Sequence, residues 1–154
     1  MRKVLVSYFS ASGVTKGVAE KVATAINGDL FEIEPVVKYS NKDLDWTDKN
    51  SRSSVEMRDN IKPDILNKVQ NLEEYDTVCI AFPIWWYKEP TIIDKFLEEN
   101  DMSDKTIYVF VTSGSSSIDS TYKSLRNNFP NLNFVSGKRF TGNESKEEYI
   151  NWVR

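Results

Sequence analysis

The amino-acid sequence predicts an α/β fold, a five-stranded parallel sheet with helices on both faces. Two observations lead to this prediction. Strand-like and helix-like patterns alternate along the chain, and the strand-like segments are short apolar runs, as expected of strands buried on both faces. The 154 residues contain no internal repeat, low-complexity tract or linker. We therefore predict a single domain over residues 1–154, with right-handed crossovers between its strands.

In the first half of the chain, we predict a strand at residues 4–9, a helix at 14–26, a strand at 29–34, a polar segment at 36–60 and a helix at 63–72. The first helix carries valine or isoleucine at every fourth position, the spacing of a helix with one buried face. Asn27-Gly28 ends this helix, because both residues tolerate the left-handed conformation common at helix C-termini. The polar segment has no clear period, and loops of this length in compact domains are usually functional or mobile.

In the second half, we predict a strand at 75–82, a helix opened by Pro90, a strand at 106–111, a helix at 118–129, a strand at 132–140 and a final helix near the C-terminus. Proline fits the first helical position, where no backbone donor is needed. Ser136-Gly137 interrupts the last strand and splits it in two. Ser145 and Glu148 have the spacing of a capping box, which predicts the start of the final helix.

The composition excludes several classes of function. The chain has no histidine, which removes Ser-His and Cys-His nucleophiles and histidine metal sites. Its net charge is −3, from 23 acidic and 20 basic side chains, and no basic patch of the kind that binds nucleic acid is evident. The single cysteine, Cys79, lies in an apolar strand, where we expect an inert buried thiol. There is no membrane-spanning apolar run or signal-peptide pattern, so we expect a cytoplasmic protein with no membrane or metal partner.

Three unusual segments follow the first, third and fourth strands, whose carboxyl ends meet at the edge of the sheet where open α/β folds bind ligands. Residues 10–16 carry hydroxyl side chains and Gly13 and then open a helix, so backbone N–H groups and the helix dipole favour a phosphate. Residues 83–90 include three consecutive aromatic side chains, and residues 112–117 are small and polar. Together they predict a site for a flat heteroaromatic group that carries a phosphate monoester.

Each of these segments also has a purely structural interpretation. Ser12 or Thr15 can simply cap the helix, and Trp85 or Trp86 can fold inward to cover the third helix. Residues 112–117 can be an ordinary turn that ends in a helix cap. Capping accounts for one hydroxyl rather than three, and inward packing accounts poorly for three consecutive aromatic residues in a loop, since loops run over the surface.

The segment Ser10-Ala-Ser-Gly-Val-Thr15 resembles the phosphate fingerprint of flavodoxins, a hydroxyl-x-hydroxyl-Gly-x-Thr pattern. Pro83-Ile-Trp-Trp86, with Pro90 after it, and Thr112-Ser-Gly114 resemble the other two loops of that family. The resemblance covers nearly the whole chain. It implies a flavodoxin-like three-layer sandwich of the short-chain type, strand order 2-1-3-4-5, and noncovalent FMN at the ends of the first and third strands.

The resemblance implies three groups of FMN-binding residues. Those around the phosphate are Ser10, Ser12, Gly13, Val14 and Thr15. Those beside the isoalloxazine ring are Pro83, Ile84, Trp85, Trp86 and Tyr87. Those along its pyrimidine edge or the ribityl chain are Thr112, Ser113, Gly114 and Ser115. The segment 36–60 resembles an insertion in a subset of the family; in it Trp46 lies near the flavin or packs on the surface, and Arg52 and Glu56 are spaced for a helical ion pair.

One departure from the family lies in the loop after the third strand. Flavodoxins commonly place a glycine there, beside the flavin, and its peptide flips on reduction to stabilise the one-electron-reduced flavin. Residues 83–90 of this chain contain no glycine. Other residues resist positive φ, so the flip should be harder and the one-electron-reduced flavin less stabilised.

The resemblance implies an electron carrier that exchanges electrons with redox partner proteins through brief docking. The alternative is an FMN-dependent NAD(P)H oxidoreductase acting on a quinone or similar small acceptor, with Trp46 and Arg52 at a nicotinamide site. In both, the flavin supplies the redox chemistry and no side chain is catalytic. A third class, a flavin-free interaction domain like a response regulator, needs a phosphorylatable Asp where this chain has Phe82-Pro83.

Overall fold

Five parallel strands form one sheet in a computed structural model that describes residues 3–113 and 117–153. In chain order the elements are β1 Val4–Tyr8, α1 Val14–Ile26, β2 Asp29–Glu32, α2 Arg52–Asp59, β3 Thr77–Pro83, α3 Thr91–Glu99, β4 Thr106–Thr112, α4 Asp119–Asn128, β5 Asn133–Arg139 and α5 Lys146–Trp152. The strand order is β2-β1-β3-β4-β5, and each neighbouring pair is parallel. The predicted flavodoxin-like α/β fold is therefore confirmed, including its strand order.

Each face of the sheet carries its own hydrophobic cluster. On one face, α1 and α5 pack against β1, β3 and β4. On the other, α3 and α4 pack against the same strands through side chains such as Phe96 and Leu125. The central strands are buried almost throughout, as predicted for strands covered on both faces, whereas β2 at the edge is mostly exposed. Cys79 is fully buried in β3, which confirms the prediction of a buried thiol.

The first helix has the predicted bounds, but its buried face begins one turn later than the sequence spacing suggests. Val18 and Val22 are buried, whereas Val14 is 58% exposed at the carboxyl edge of the sheet. Asn27 ends the helix in the left-handed conformation, with φ of 56°, as predicted. Val14 at the start of α1 therefore faces the edge where we predict the ligand, whereas Thr15 beside it is buried.

The prediction of a helix at 63–72 is wrong, because this segment contains no α-helix. Ile65 instead forms an isolated antiparallel bridge with Pro35, in which the N–H of Leu66 donates to the carbonyl of Glu34 at 2.8 Å. Backbone groups here bond to a distant part of the chain rather than to residues four positions back. The helical spacing of the apolar side chains reflects packing of an irregular segment on the core.

The polar segment 36–60 contains the helix α2, which the sequence pattern did not predict. Ser51 caps it by accepting a hydrogen bond from the N–H of Ser54, and Arg52 and Glu56 form an ion pair one turn apart, at 3.0 Å. The buried residues of α2 are two serines and a glutamate. A helix whose buried side is polar gives no apolar period, so hydrophobic spacing could not reveal it.

The last strand is continuous, so the prediction that Ser136-Gly137 splits it is wrong. The register against β4 shifts by one residue at Val135, which forms a β-bulge. Gly137 allows α4 to approach the strand closely, because a Cβ there would lie 2.7 Å from Cδ1 of Tyr122. The glycine therefore serves helix–sheet packing instead of breaking the strand.

Two helix starts follow from capping residues. Pro90 immediately precedes α3, which begins at Thr91, so the proline lies one position earlier than predicted. Ser145 caps α5 by accepting a hydrogen bond from the N–H of Glu148 at 3.2 Å, as predicted. Over the described ranges, each helix is too short or too polar to cross a membrane.

Candidate functional site

A cleft of about 340 Å³ lies at the carboxyl edge of the sheet, beside the ends of β1 and β3; we call it the inner cleft. Its walls come from three segments: the loop after β1, the loop after β3 and the segment 36–60. The lining residues are Ala11, Ser12, Leu44, Trp46, Ser53, Pro83, Ile84, Trp85 and Trp86. The fold thus brings five of the predicted flavin-site residues together with Trp46.

The predicted phosphate loop leaves donors available at the start of α1. Gly13, the N-cap residue, takes a left-handed conformation with φ of 93° and offers no side chain to the helix. The hydroxyl of Ser10 accepts hydrogen bonds from the N–H groups of Gly13 and of Lys16 in the first turn of α1, at 3.1 and 3.2 Å. The N–H groups of Val14 and Thr15 have no acceptor in the part of the chain that the structure describes. Helix capping therefore accounts for Ser10, which satisfies one N–H of the first turn, but not for Ser12, which is exposed and caps no N–H among the described residues.

The third predicted loop is joined to the first by a hydrogen bond. The buried hydroxyls of Thr15 and Thr112 lie 2.7 Å apart, which ties the first turn of α1 to the end of β4. Both side chains are therefore used inside the protein rather than presented to a ligand. Ser113 accepts hydrogen bonds from Nε of Arg139 at its carbonyl and its hydroxyl, at 3.2 and 3.1 Å. The other two predicted residues of this loop, Gly114 and Ser115, lie outside the described residues.

The three aromatic residues after β3 differ in position. Trp85 packs inward, edge-on against Phe9 and Tyr39, with ring centroids 5.6 and 5.4 Å apart. Trp85 thus folds inward, as the structural interpretation has it, but its ring partners are Phe9 and Tyr39, and one side of it still lines the inner cleft. Trp86 is 43% exposed and also lines the cleft, whereas Tyr87 is 69% exposed and is not part of its wall.

Trp86 and Tyr87 occupy a strained tight turn. Their φ values are 49° and 64°, and two backbone hydrogen bonds of 3.0 Å between Trp85 and Lys88 close the turn. Consecutive positive φ values are typical of type I′ turns, where glycine and asparagine are usual. Side chains other than glycine resist this conformation by about 1–2 kcal/mol per residue. The loop thus takes up positive φ without a glycine, at a cost in stability.

Replacing Tyr87 with glycine should therefore stabilise the apoprotein by about 0.5–1 kcal/mol, since relief of the left-handed strain exceeds the added flexibility of the unfolded chain. The exposed Tyr87 ring loses little packing. Urea unfolding measures the change. Lys88→Gly is the matched control, because Lys88 is exposed and has no positive φ; it should destabilise by a similar amount. Equal destabilisation by both variants would contradict the assignment of strain to Tyr87.

Arg52 holds the segment 36–60 together. Its guanidinium lies 3.8 Å from the ring centroid of Tyr39, pairs with Glu56 through Nε and donates from Nη1 to the carbonyl of Val37 at 2.8 Å. The Tyr39 hydroxyl donates to Glu56, and burial together with that carboxylate raises the pKa of Tyr39 above its ordinary range. Arg52 does not line the inner cleft. Its position favours a structural function over the predicted contact with a nicotinamide.

Some lining residues carried no signal in the sequence. The hydroxyl of Ser53 is buried and has no hydrogen-bond partner among residues 3–113 and 117–153. A serine in a polar segment does not stand out, and its burial depends on α2, which hydrophobic spacing did not reveal. Leu44 is the lining residue that the sequence could have indicated, because it is an isolated apolar residue in a polar segment.

Behind the aromatic loop lies a buried pair of acidic residues, which the sequence pattern also did not indicate. Glu89 precedes α3 and Asp94 lies in its first turn; both are at least nine-tenths buried. One oxygen of each, Glu89 Oε1 and Asp94 Oδ1, has no donor in the described part of the chain. Burial, and then the hydrogen bond with Glu89, raise the pKa of Asp94 to about 9. We infer that Asp94 is protonated and shares this proton with Glu89 through their hydrogen bond.

Comparison with known proteins agrees with this geometry. A family model described as flavodoxin matches residues 3–154. A candidate flavoprotein from Bacteroides eggerthii is 42% identical, with a TM-score of 0.96 over 99% of this chain and 96% of that one. A second, from Bacteroides uniformis, is 46% identical, with a TM-score of 0.92 over 99% and 97% of the two chains. No curated protein matches the chain.

A more distant structure shares the fold. A flavoprotein in complex with FMN, from Lactobacillus acidophilus, is 23% identical to this chain, with a TM-score of 0.79 over 100% of both chains. The family match covers nearly every residue, and the strand order is that of the flavodoxin fold. The chain therefore belongs to the flavodoxin family.

Proposed function

We propose that this protein binds FMN noncovalently and carries electrons between redox partner proteins. The observation that carries the proposal is the junction of two features at one edge of the sheet. Backbone N–H groups that find no acceptor within the described ranges begin α1, and an aromatic cleft opens beside them. The first feature suits a phosphate and the second suits a flat ring. Family membership, and the FMN complex of the Lactobacillus acidophilus protein, support the choice of flavin.

The residues present fit this cofactor. Ser12 and the N–H groups of Val14 and Thr15 would hold the phosphate, and Trp86 would cover one face of the ring. The Ser53 hydroxyl is buried in the cleft wall and has no partner among the described residues, so it is suited to hydrogen-bond a polar edge of the isoalloxazine. FMN supplies the redox chemistry when bound. The chain would bind and orient the FMN and keep water from the side of the cleft that Trp85 forms.

The phosphate part of the proposal predicts selectivity for FMN over riboflavin. Ser12→Ala should weaken FMN binding about tenfold, the value of one hydrogen bond to a charged group, and leave riboflavin binding unchanged. Fluorescence titration of the apoprotein with each flavin measures both constants. Ser103→Ala, which removes an exposed serine near the opposite end of the sheet, should change neither. Equal affinity for the two flavins would contradict the assignment of the phosphate site.

The carrier is preferred to the reductase because Arg52 bonds to Glu56 and Val37 within the segment 36–60 and does not line the inner cleft. Anaerobic addition of NADH or NADPH to the FMN-loaded protein distinguishes the two. A carrier keeps its visible flavin absorbance until a separate reductase is added. Bleaching by the nucleotide alone would overturn the carrier proposal in favour of the NAD(P)H oxidoreductase.

A further inference from the structure

A second cleft, of about 370 Å³, lies beside the inner cleft; we call it the outer cleft. Its lining residues are Trp46, Lys49, Ser54, Met57, Arg58, Trp86 and Lys88. The two tryptophans also line the inner cleft, so the clefts are neighbours. Occupants of the two clefts would therefore both lie beside these two indole rings.

The outer cleft is positively charged in a protein whose net charge is −3. Three cationic side chains and no acidic one line it. Arg58 is partly neutralised by Asp59, with Nε and Oδ1 3.3 Å apart. Lys49 and Lys88 form no ion pair within the ranges that the structure describes. Two ammonium charges are therefore available to a ligand.

The backbone fixes where these charges emerge. Nη1 of Arg58 donates to the carbonyl of Lys49 at 2.9 Å, which ties the last turn of α2 to the segment before it. Lys88 is held by its two backbone hydrogen bonds with Trp85 in the strained turn. The cations thus extend from two anchored segments on either side of the cleft.

We propose that the outer cleft binds a small planar aromatic molecule that bears a carboxylate or a similar anionic group. The indole walls suit a flat ring, the ammonium groups suit an anion, and the volume lies within the range of small-molecule sites. An acidic protein surface would match the charge, but a concave cleft of about 370 Å³ is typical of small-molecule sites, so the small aromatic anion is the better fit. The binding of this molecule does not depend on the proposed function. Only its position beside a flavin rests on the proposed function.

The test uses two probes of the same shape, 2-naphthoate and uncharged 2-naphthamide, titrated calorimetrically into the protein with and without FMN. The carboxylate should bind more tightly than the amide. Lys49→Gln and Lys88→Gln should each weaken the binding of 2-naphthoate about threefold, which corresponds to one solvent-exposed ion pair. Neither substitution should change the binding of 2-naphthamide. Lys68→Gln, which removes an exposed lysine outside both clefts, is the matched control. Trp46→Ala should weaken both probes.

Equal affinity for the two probes, or equal effects of the three lysine variants, would overturn the proposal. A charge effect without any effect of Trp46→Ala would overturn it too, in favour of docking by an acidic macromolecule. Flavin retention is measured separately on the same samples. Loss of probe binding with FMN retained defeats this inference alone, whereas failure to retain FMN defeats the proposed function and leaves the probe result interpretable.

Discussion

Replacing Asp94 with asparagine is expected to stabilise the protein above neutral pH and to flatten the fall of its stability with pH. Asp94 is 8% exposed and its partner Glu89 is 2% exposed. Burial in the first place, and Glu89 in the second, raise the pKa of Asp94 from 3.8 to about 9, against a smaller opposing effect of Lys62. The native state therefore holds a proton that the unfolded chain releases above about pH 4.

The sign of the pH dependence follows from this difference. Stability from the protonated Asp94 is complete below the unfolded pKa and is lost as pH rises towards the folded value of about 9. One such proton lowers the free energy of unfolding by up to about 1.4 kcal/mol per pH unit in that range. Asparagine keeps a donor for Glu89 and does not titrate. The variant should differ little from the parent near pH 4, and the slope over the next four pH units makes it more stable by about 5 kcal/mol at pH 8.

Urea unfolding at intervals from pH 4 to pH 9 measures this effect. Asp64→Asn is the control, because its side chain is 84% exposed and its ion partner Lys95 lies 3.9 Å away. That variant should change the free energy of unfolding by less than about 0.5 kcal/mol at every pH. A parent protein whose stability does not fall between pH 5 and pH 8, or an Asp94→Asn variant that follows the parent throughout, would contradict the shared proton.

The sheet was predictable because its signals are local and apolar. The strand β3 and the helix α1 each bury a run or a stripe of hydrophobic side chains that shows in the sequence itself. The loop after β1 was also predictable, since Gly13 and its neighbouring hydroxyls directly precede a helix. In these cases the residue pattern and the structure have the same physical cause, which is burial on the sheet or the start of a helix.

The features that the sequence pattern did not reveal depend on contacts between distant residues. Ile65 and its apolar neighbours have helical spacing, but the backbone around Ile65 pairs with the segment of Pro35 instead of forming a helix. The burial of Ser53 requires α2, whose buried side is polar. Glu89 and Asp94 pair because both are buried in the folded protein. Their spacing in the sequence is the same as that of acidic residues at a solvent-exposed helix start. Such contacts exist only once the chain has folded.

Replacing Arg52 with methionine should lower the free energy of unfolding by about 3 kcal/mol. Methionine keeps much of the apolar bulk against the Tyr39 ring but leaves the buried carboxylate of Glu56 with the Tyr39 hydroxyl and no opposite charge. Removal of one partner from a buried ion pair leaves an uncompensated charge, which costs about 3–5 kcal/mol when burial is complete. Arg52 is partly exposed, so the lower end of that range applies.

A second substitution shows whether the loss comes from the charge. Glu56→Gln in the Arg52→Met background should recover part of the stability, because it removes the unpaired charge and keeps an acceptor for Tyr39. Arg126→Met is the matched control: Arg126 also lies over a tyrosine ring, that of Tyr122 at 5.7 Å, but it is exposed and has no ion partner in the described part of the chain. Its replacement should change stability by less than about 0.5 kcal/mol.

The same variant links the segment 36–60 to the inner cleft. Tyr39 packs on Trp85, and Leu44, Trp46 and Ser53 line the cleft from this segment. Loosening the segment should therefore weaken FMN binding in Arg52→Met, and the double variant with Glu56→Gln should regain both stability and affinity. If FMN affinity stays at the parental value while stability falls, the segment packs on the core but does not shape the flavin site.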